Sequence, residues 1–358
     1  MTSGKYYDIK PVKTRAEKEK SNFIFIYGGK SKGKSYQAKM ELMINHYIKT
    51  KRRFCLLRRY GEEIDKTHTE LYFRDILNNE DIAKLTDYKY NNIEYISAKV
   101  YFSYVNEAGK TERREHIGYA IPLNQEQNYS SILSEQDIDN IIFEEFQSRT
   151  TYLTNEVTKL MFLYSTIDRE RGSTKLWFMG NAISKVCPYW AEFGILDIIK
   201  SQKSGTIQDY VIDDKKILIE KTKVFNNKKT TIGESANAIS SGAWYAEKQP
   251  RIKMKDHVRG LLYINFDFSG LKFLGELNQT DKKDYYWFIR PVEFFKYPKN
   301  YTVTNRASPD RVTGYDIYKI GGERFQKIIN KTFLKNKLFF SSNECGTDFK
   351  SACIFRIK

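Results

Sequence analysis

Residues 28–35 read Gly28-Gly-Lys-Ser-Lys-Gly-Lys-Ser35, a full match to the phosphate-loop pattern G-x-x-x-x-G-K-[ST]. The apolar, β-prone run Phe23 to Tyr27 precedes it, and a helical pattern from about Tyr36 to Lys49 follows. This strand–loop–helix context is what gives the motif meaning. Glycines let the backbone wrap a phosphate with its N–H groups inward, and the helix N-terminus adds positive potential. Gly28, Gly29, Lys30, Ser31, Lys32, Gly33, Lys34, Ser35 and Tyr36 are therefore the expected nucleotide-contacting residues. Lys34 is expected to reach the β- and γ-phosphates, and the Ser35 hydroxyl to bind Mg²⁺. ATP and Mg²⁺ are the expected cofactors.

At 358 residues the chain is long for a single core, so two domains are expected. Its hydrophobic content of 41% allows real cores, and 15% aromatic residues argue against disorder. Lys and Arg outnumber Asp and Glu by 16, a surplus that favours a polyanionic partner, nucleic acid first. The plainer alternative is a basic surface of solvated lysines. Cys55, Cys187, Cys345 and Cys353 are scattered and form no C-x-x-C pair, so reduced thiols are expected and a zinc site is not. The first 22 residues are polar and charged, with no secretory pattern. No apolar run approaches the length of a bilayer span. A cytoplasmic protein without a membrane partner is expected.

Residues 1–22 read as an N-terminal arm or a short lead-in helix. Residues 23–27 and 53–57 read as buried parallel strands joined by the helix that follows the phosphate loop. Helical spacing covers 61–86, and 93–105 and 114–121 look like paired strands around a turn at 106–109. A short buried strand at 140–143, a helix at 154–166 capped by Thr154 and a strand at 175–179 follow. Alternating strands and helices in residues 23–197 imply an α/β ATPase domain. The polar residues 198–258 read as a linker region. Residues 259–358 read as a smaller α+β domain, with strands at 261–268, 271–277, 285–289 and 301–304, a helix at 324–333, a strand at 338–340 and a helix at 347–357.

Hydrolysis needs one carboxylate for the Mg²⁺ shell and a second to position water. Asp139-Asn-Ile-Ile-Phe-Glu-Glu-Phe146 supplies both at the C-terminal edge of a strand, where open α/β sheets bind ligands. Glu144 is assigned to the metal shell and Glu145 to water activation. Ile167-Asp-Arg-Glu-Arg171 ends the next helix, and Arg169 or Arg171 could reach a neighbouring subunit's γ-phosphate. Arginines at a helix C-terminus commonly just complement the dipole. Asn181, after the next strand, stands where a polar side chain could sense the γ-phosphate, or is simply a turn asparagine at the strand's end.

Several of these stretches recur together. Asn22–Tyr36, Leu56-Leu-Arg-Arg-Tyr60, Ala120-Ile-Pro-Leu123, Ile141-Ile-Phe-Glu-Glu-Phe146, Asn155-Glu-Val157 and Gly180-Asn-Ala182 resemble, in order and spacing, the DNA-packaging ATPases of small tailed podophages of the phi-29 type, relatives of the large terminases. The resemblance covers roughly residues 20–195. It implies an ASCE-type P-loop NTPase fold, RecA-like and terminase-like, and a C-terminal lobe like a ribonuclease H-type nuclease that has lost its catalytic acids. It further implies a homopentameric ring on a viral prohead in the host cytoplasm, with a portal or connector and, in some members, a structural RNA. ATP hydrolysis would drive double-stranded DNA into the shell. Lys34 and Ser35 fall on the phosphate-loop pair, Glu144 on the metal acid and Glu145 on the catalytic acid. Arg169 falls on the trans arginine finger and Asn181 on the sensor position. The chain departs from the pattern in three places. Glu144 replaces the usual Asp, Gly61-Glu-Glu63 stands where relatives carry a basic DNA contact, and a basic trans residue is missing around Ser130-Ser131. Lys66 or Arg74 could substitute as DNA contacts.

A working nuclease would cluster three or four carboxylates about two cations. Asp267, Asp316 and Asp348 are the candidates, and nothing in the sequence brings them to one site. A motor that does not cut is therefore the expected reading. The alternatives are a terminase-like ATPase with an active nuclease and a small-substrate P-loop kinase. The basic run Lys327, Lys331, Lys335 and Lys337 could touch nucleic acid or the portal, or be a solvated helix face.

Overall fold

The computed structural model describes residues 6–29, 33–133, 137–148, 152–182, 184–223, 249–253, 260–268, 270–295, 302–304, 312–313, 323–333, 335 and 337–354. A first helix, α1 (Lys10–Lys18), leads into β1 (Phe23–Gly28), all of whose residues are buried. After the loop come α2 (Lys34–Gln37), a π-helical stretch Ala38–Ile44 and α3 (Asn45–Thr50), end to end. Then follow β2 (Arg53–Arg58), α4 (Lys66–Asn78), α5 (Asp81–Leu85), β3 (Asn92–Ile96), β4 (Lys99–Val105) and β5 (Thr111–Pro122). The lobe continues through α6 (Glu126–Leu133), β6 (Ile138–Glu144), α7 (Glu156–Asp168), β7 (Lys175–Asn181), α8 (Pro188–Glu192) and α9 (Leu196–Ser201). It closes with the hairpin β8 (Thr206–Ile212) and β9 (Lys215–Lys221).

These strands form one nine-stranded sheet in the order β3-β4-β5-β2-β6-β7-β1-β9-β8. The run from β5 to β9 is parallel, and β3, β4 and β8 are antiparallel additions at its flanks. Strands covered on both faces must be apolar throughout, as β1 is. Phe25 and Tyr27 face one core with Phe143, Phe178 and Trp190. Ile24 and Ile26 face the other, with Leu42, Phe73 and Trp177. The mixed α/β sheet expected for the first domain is present.

Three expectations are corrected. Residues 198–258 are not simply a linker, because β8 and β9 extend the sheet beside β1. Their turn is Asp213-Asp214, both with positive φ (44° and 61°), a two-residue hairpin built without the usual Asn-Gly signal. A similar tight turn at Ser97-Ala98 divides the expected strand 93–105 into β3 and β4. Of the two forms expected for the N-terminal stretch, the described residues 6–22 take the short lead-in helix, α1. Tyr7, Ile9, Val12 and Ala16 are buried in the second core, and Arg15 pairs with Asp209 on β8. Asn155, not Thr154, occupies the N-cap of α7, in left-handed backbone.

The C-terminal lobe is α+β. Strands β10 (Leu262–Phe268), β11 (Leu271–Gln279), β12 (Tyr285–Pro291), β13 (Thr302–Thr304), β14 (Val312–Thr313) and β15 (Leu338–Phe340) lie in the order β14-β13-β10-β11-β12-β15. Helices α10 (Glu323–Phe333) and α11 (Asn343–Ile354) accompany them, and Phe266, Trp287, Ile329 and Phe349 meet in its core. The last helix begins four residues before the expected 347. Cys55, Cys187 and Cys345 are buried free thiols. No helix among the described residues is long and apolar enough to cross a membrane.

Candidate nucleotide site

The parallel sheet sends the C-terminal ends of β1, β6 and β7 to one edge. Strand β7 lies between β1 and β6, with Gly28 opposite Asn181 and Glu144 opposite Met179. The phosphate loop and the acidic pair thus flank the end of β7. Gly28 has φ +155°, and a Cβ there would stand 2.0 Å from Thr222 Oγ1. No side chain fits, so glycine is required by the packing of β9 against the loop. Gly33 caps α2 in left-handed backbone (φ +92°), a conformation glycine adopts without strain.

Lys34 is 7% exposed, and its Nζ donates to the Gly29 carbonyl at 2.6 Å and to Asn181 Oδ1 at 3.4 Å. The expected phosphate lysine and the expected sensor are therefore in contact, from positions 147 residues apart. Ser35 Oγ donates to Glu144 Oε2 at 3.1 Å, and Tyr72 Oη donates to Glu144 Oε1 at 2.8 Å. Burial pushes the Glu144 carboxyl above its ordinary pKa, against the Tyr72 and Ser35 hydrogen bonds that favour its anion. Glu145 follows in left-handed backbone (φ +55°), its side chain 58% exposed. Two adjacent acids thus face different surroundings: Glu144 is locked beside Ser35, and Glu145 is open to water. Tyr36 instead bonds Asp81 at 2.7 Å. Lys30, Ser31 and Lys32 lie outside the described residues.

Two arginines give these acids their setting. Arg58 ends β2 and lies 3.2 Å from Glu145 Oε2 and 3.4 Å from Glu63 Oε1. Arg59 turns inward and meets Glu156 through two hydrogen bonds, at 2.8 and 2.9 Å, with both side chains almost fully buried. It also donates to the carbonyls of Glu145 (3.1 Å) and Phe146 (2.6 Å). Burial works against the Arg59 charge, but the Glu156 hydrogen bonds outweigh it and raise its pKa. Tyr189 Oη and the Leu153 N–H donate to the remaining Glu156 lone pairs, at 2.6 and 2.7 Å. The pair is thus an internal bracket that hangs the backbone of the acidic turn from β2. Glu156→Gln would keep the shape but strand a buried guanidinium, at an expected cost of about 3–5 kcal/mol. Urea unfolding checks this, and a loss below about 1 kcal/mol would remove the bracket from the account.

The other site residues separate. Arg169 and Arg171 lie at the opposite edge of the sheet, where β7 begins. Arg171 is engaged locally, donating to the carbonyls of Ile138, Ile167 and Asp168 and to Thr174 Oγ1. Arg169 is exposed, in left-handed backbone at the C-cap of α7. Lys66 and Arg74 are exposed on α4. Asp348 does not join Asp267. It is buried against the first lobe, accepting from Ser184 Oγ at 3.0 Å and the Lys185 N–H at 3.2 Å, and burial raises its pKa to about 6. Asp267 accepts from the Gly270 N–H in the β10–β11 turn. Asp316 lies outside the described residues. No group of three or more His, Cys, Asp or Glu side chains suited to a metal is present among the described residues.

Tyr72, Arg58, Arg59 and Glu156 were not assigned roles from the sequence. Arg58, Arg59 and Glu156 lie inside recurring stretches quoted above, so a signal existed without a role attached. Tyr72 carried only helical spacing.

Fold and site together define a protein with a P-loop NTPase-like α/β domain and a smaller α+β domain. The chain belongs to the Podovirus DNA encapsidation protein (Gp16) family, whose model matches residues 3–249. It is 27% identical over 234 residues to the DNA packaging protein of Bacillus phage phi29, a match covering 63% of this chain and 61% of that one. Against the DNA packaging protein of Bacillus phage B103 it is 30% identical over 181 residues, half of each chain. The matches therefore span about half to three-fifths of these relatives' length. A solved structure described as the bacteriophage Phi-29 viral genome packaging motor assembly shares the fold. It matches 98% of this chain and 100% of that chain, with a TM-score of 0.53 and 20% identity.

Proposed function

We propose that this protein is the ATP-hydrolysing subunit of a motor that drives double-stranded DNA into a viral prohead. The observation that carries this is the meeting of Lys34, Ser35, Glu144 and Asn181 at one sheet edge, with Glu145 open beside them. The strand interposed between β1 and β6 supports the ASCE-type assignment. The Ser35 and Glu144 oxygens, 3.1 Å apart, suit two adjacent ligands of an octahedral Mg²⁺ with bonds of about 2.1 Å. Ser35 and Glu144 would hold that ion, which when bound neutralises charge on the β- and γ-phosphates. Lys34 would leave the Gly29 carbonyl for phosphate oxygens, and Asn181 would follow it. Glu145 would orient the attacking water and accept its proton. Arg58 stands 3.2 Å from one of the Glu145 carboxylate oxygens, so that pair would loosen to let the oxygen take water.

A strand of seven residues spans about 23 Å, so Arg169 cannot serve the cradle of its own chain. That placement supports the reading of Arg169 as a finger given to the next subunit of a ring, which we read as a homopentamer. The portal or connector, a structural RNA and a transient seat on the prohead in the host cytoplasm rest on that likeness alone. The C-terminal lobe is read as a ribonuclease H-type module without nuclease activity. Asp348's use as a tether between the lobes supports this. Lys66 and Arg74 are kept as DNA contacts on the strength of their exposure.

The test is ATPase rate against protein concentration, with and without double-stranded DNA and proheads. A ring with shared sites gives a steep dependence on protein concentration and stimulation by DNA. A rate strictly proportional to protein and indifferent to nucleic acid would replace the motor with a self-sufficient P-loop enzyme.

A further inference from the structure

Glu144 occupies a position with a demanding task and a side chain with one more rotatable bond than aspartate. A longer carboxylate has more orientations to lose, so it needs more partners to hold one of them. The structure provides a partner on each oxygen. Ser35 Oγ takes Oε2 at 3.1 Å, and Tyr72 Oη takes Oε1 at 2.8 Å. Ser35 belongs to the cradle itself. Tyr72 comes from α4, an element the nucleotide site otherwise does not use.

Tyr72 is itself held from several sides. Its ring meets Phe73 edge-on at 5.1 Å, and Lys39 Nζ stands 4.7 Å from its ring centroid. Lys39 Nζ also donates to the Tyr72 carbonyl at 2.6 Å and pairs with Asp75. Lys39 sits in the π-helical stretch directly behind the cradle, and its side chain is 5% exposed. Such π-helical turns are frequent at functional sites. The cradle helix, α4 and the acidic strand therefore converge on one hydroxyl.

We infer that Tyr72 is a positioning residue that fixes the orientation of the Glu144 carboxylate for Mg²⁺ and so completes the metal half of the nucleotide site. This rests on the reading of Glu144 as the metal-shell acid. Tyr72 touches neither nucleotide nor metal and acts through Glu144 alone. Partners that orient a metal-binding carboxylate in this way commonly carry 10- to 100-fold in metal affinity or activity.

The experiment compares wild type, Tyr72→Phe, Glu144→Asp and the double variant in steady-state ATPase assays and in Mg²⁺-dependent binding of a fluorescent ATP analogue. Tyr72→Phe deletes one hydroxyl and keeps the ring packing. The expected result is a fall in kcat of about tenfold with the KM for ATP held within about twofold. The Mg²⁺ concentration for half-maximal analogue binding should rise about tenfold. Glu144→Asp draws the carboxylate back from the phenol, so adding Tyr72→Phe in that background should cost nothing further. A merely structural tyrosine would shift melting temperature and would show additive losses in the double variant. Equal kcat and equal Mg²⁺ dependence in wild type and Tyr72→Phe, with the wild type active, overturns the inference and leaves the ATPase reading standing. A wild type that binds the analogue without any help from Mg²⁺ overturns the Glu144 reading, and this inference with it.

Discussion

Replacing Glu145 with Gln should abolish ATP turnover while leaving nucleotide binding intact. The side chain stands just past β6 in left-handed backbone, 58% exposed, with Arg58 against its carboxylate. Gln keeps the volume and can still hydrogen-bond water, but it cannot accept a proton. Loss of a positioned general base costs about 10²- to 10⁴-fold. The cradle contacts of Lys34 and Ser35 do not involve Glu145, so affinity for the nucleotide should stay within about threefold. Single-turnover hydrolysis and a fluorescent-nucleotide titration measure the two halves. A variant that hydrolyses at more than about a tenth of the wild-type rate would move the base elsewhere. Glu144 would not be the natural replacement, since both its oxygens are engaged by Ser35 and Tyr72.

The second large effect is expected from Arg169→Ala, and its form matters more than its size. A finger donated across an interface is worth about 10³- to 10⁵-fold in turnover. Arg169 stands at the far edge of its own sheet, so on the proposed trans-finger reading the variant subunit should keep an intact cradle and impair its neighbour's. In rings mixed with wild type, activity should therefore fall faster than the fraction of variant subunits added. Arg171→Ala provides the contrast. That guanidinium holds the carbonyls of Ile138, Ile167 and Asp168, so its loss should lower stability without poisoning a neighbour. Mixed rings in which Arg169→Ala subunits leave activity at the wild-type level would end the trans-finger reading. A simple linear decline would make the residue one that supports the fold of its own subunit rather than a neighbour's site.

The architecture explains why the bracket formed by Arg59 and Glu156 belongs beside these two predictions. Arg59 reaches the carbonyls of Glu145 and Phe146 directly. Strand β2 and the start of α7 thereby share control of the acidic turn. The other tie lies between the lobes. Ser184 holds Asp348 by its hydroxyl and accepts from Gln147 Nε2 through its carbonyl, at 3.0 Å each. The segment after the acids, the segment after Asn181 and helix α11 therefore meet at one serine. A change at the nucleotide has a short covalent and hydrogen-bonded route to the C-terminal lobe.

Much of the site was legible because its chemistry is local. Gly28 to Ser35 is contiguous, its glycines are demanded by backbone shape, and the strand before it and helix after it are encoded in the same forty residues. Glu144 and Glu145 are adjacent, and an apolar run fixes which end of a strand they occupy. What sequence could not supply was every pairing made across the sheet. The β8–β9 hairpin was hidden because its most apolar run, Ile217-Leu-Ile219, is three residues long between charged flanks, and its Asp213-Asp214 turn lacks a glycine. Asp348 looked like a stray acid until burial placed it against Ser184. Tyr72 looked like one more helical hydrophobe until its hydroxyl met Glu144. By itself the sequence determined a phosphate cradle, an acidic pair and the sheet edge that carries them, since each depends on neighbours within a few positions. The tertiary structure alone decided which arginine is locked and which is exposed, and which hydroxyls hold Glu144. Those outcomes depend on register and burial between segments tens to hundreds of residues apart.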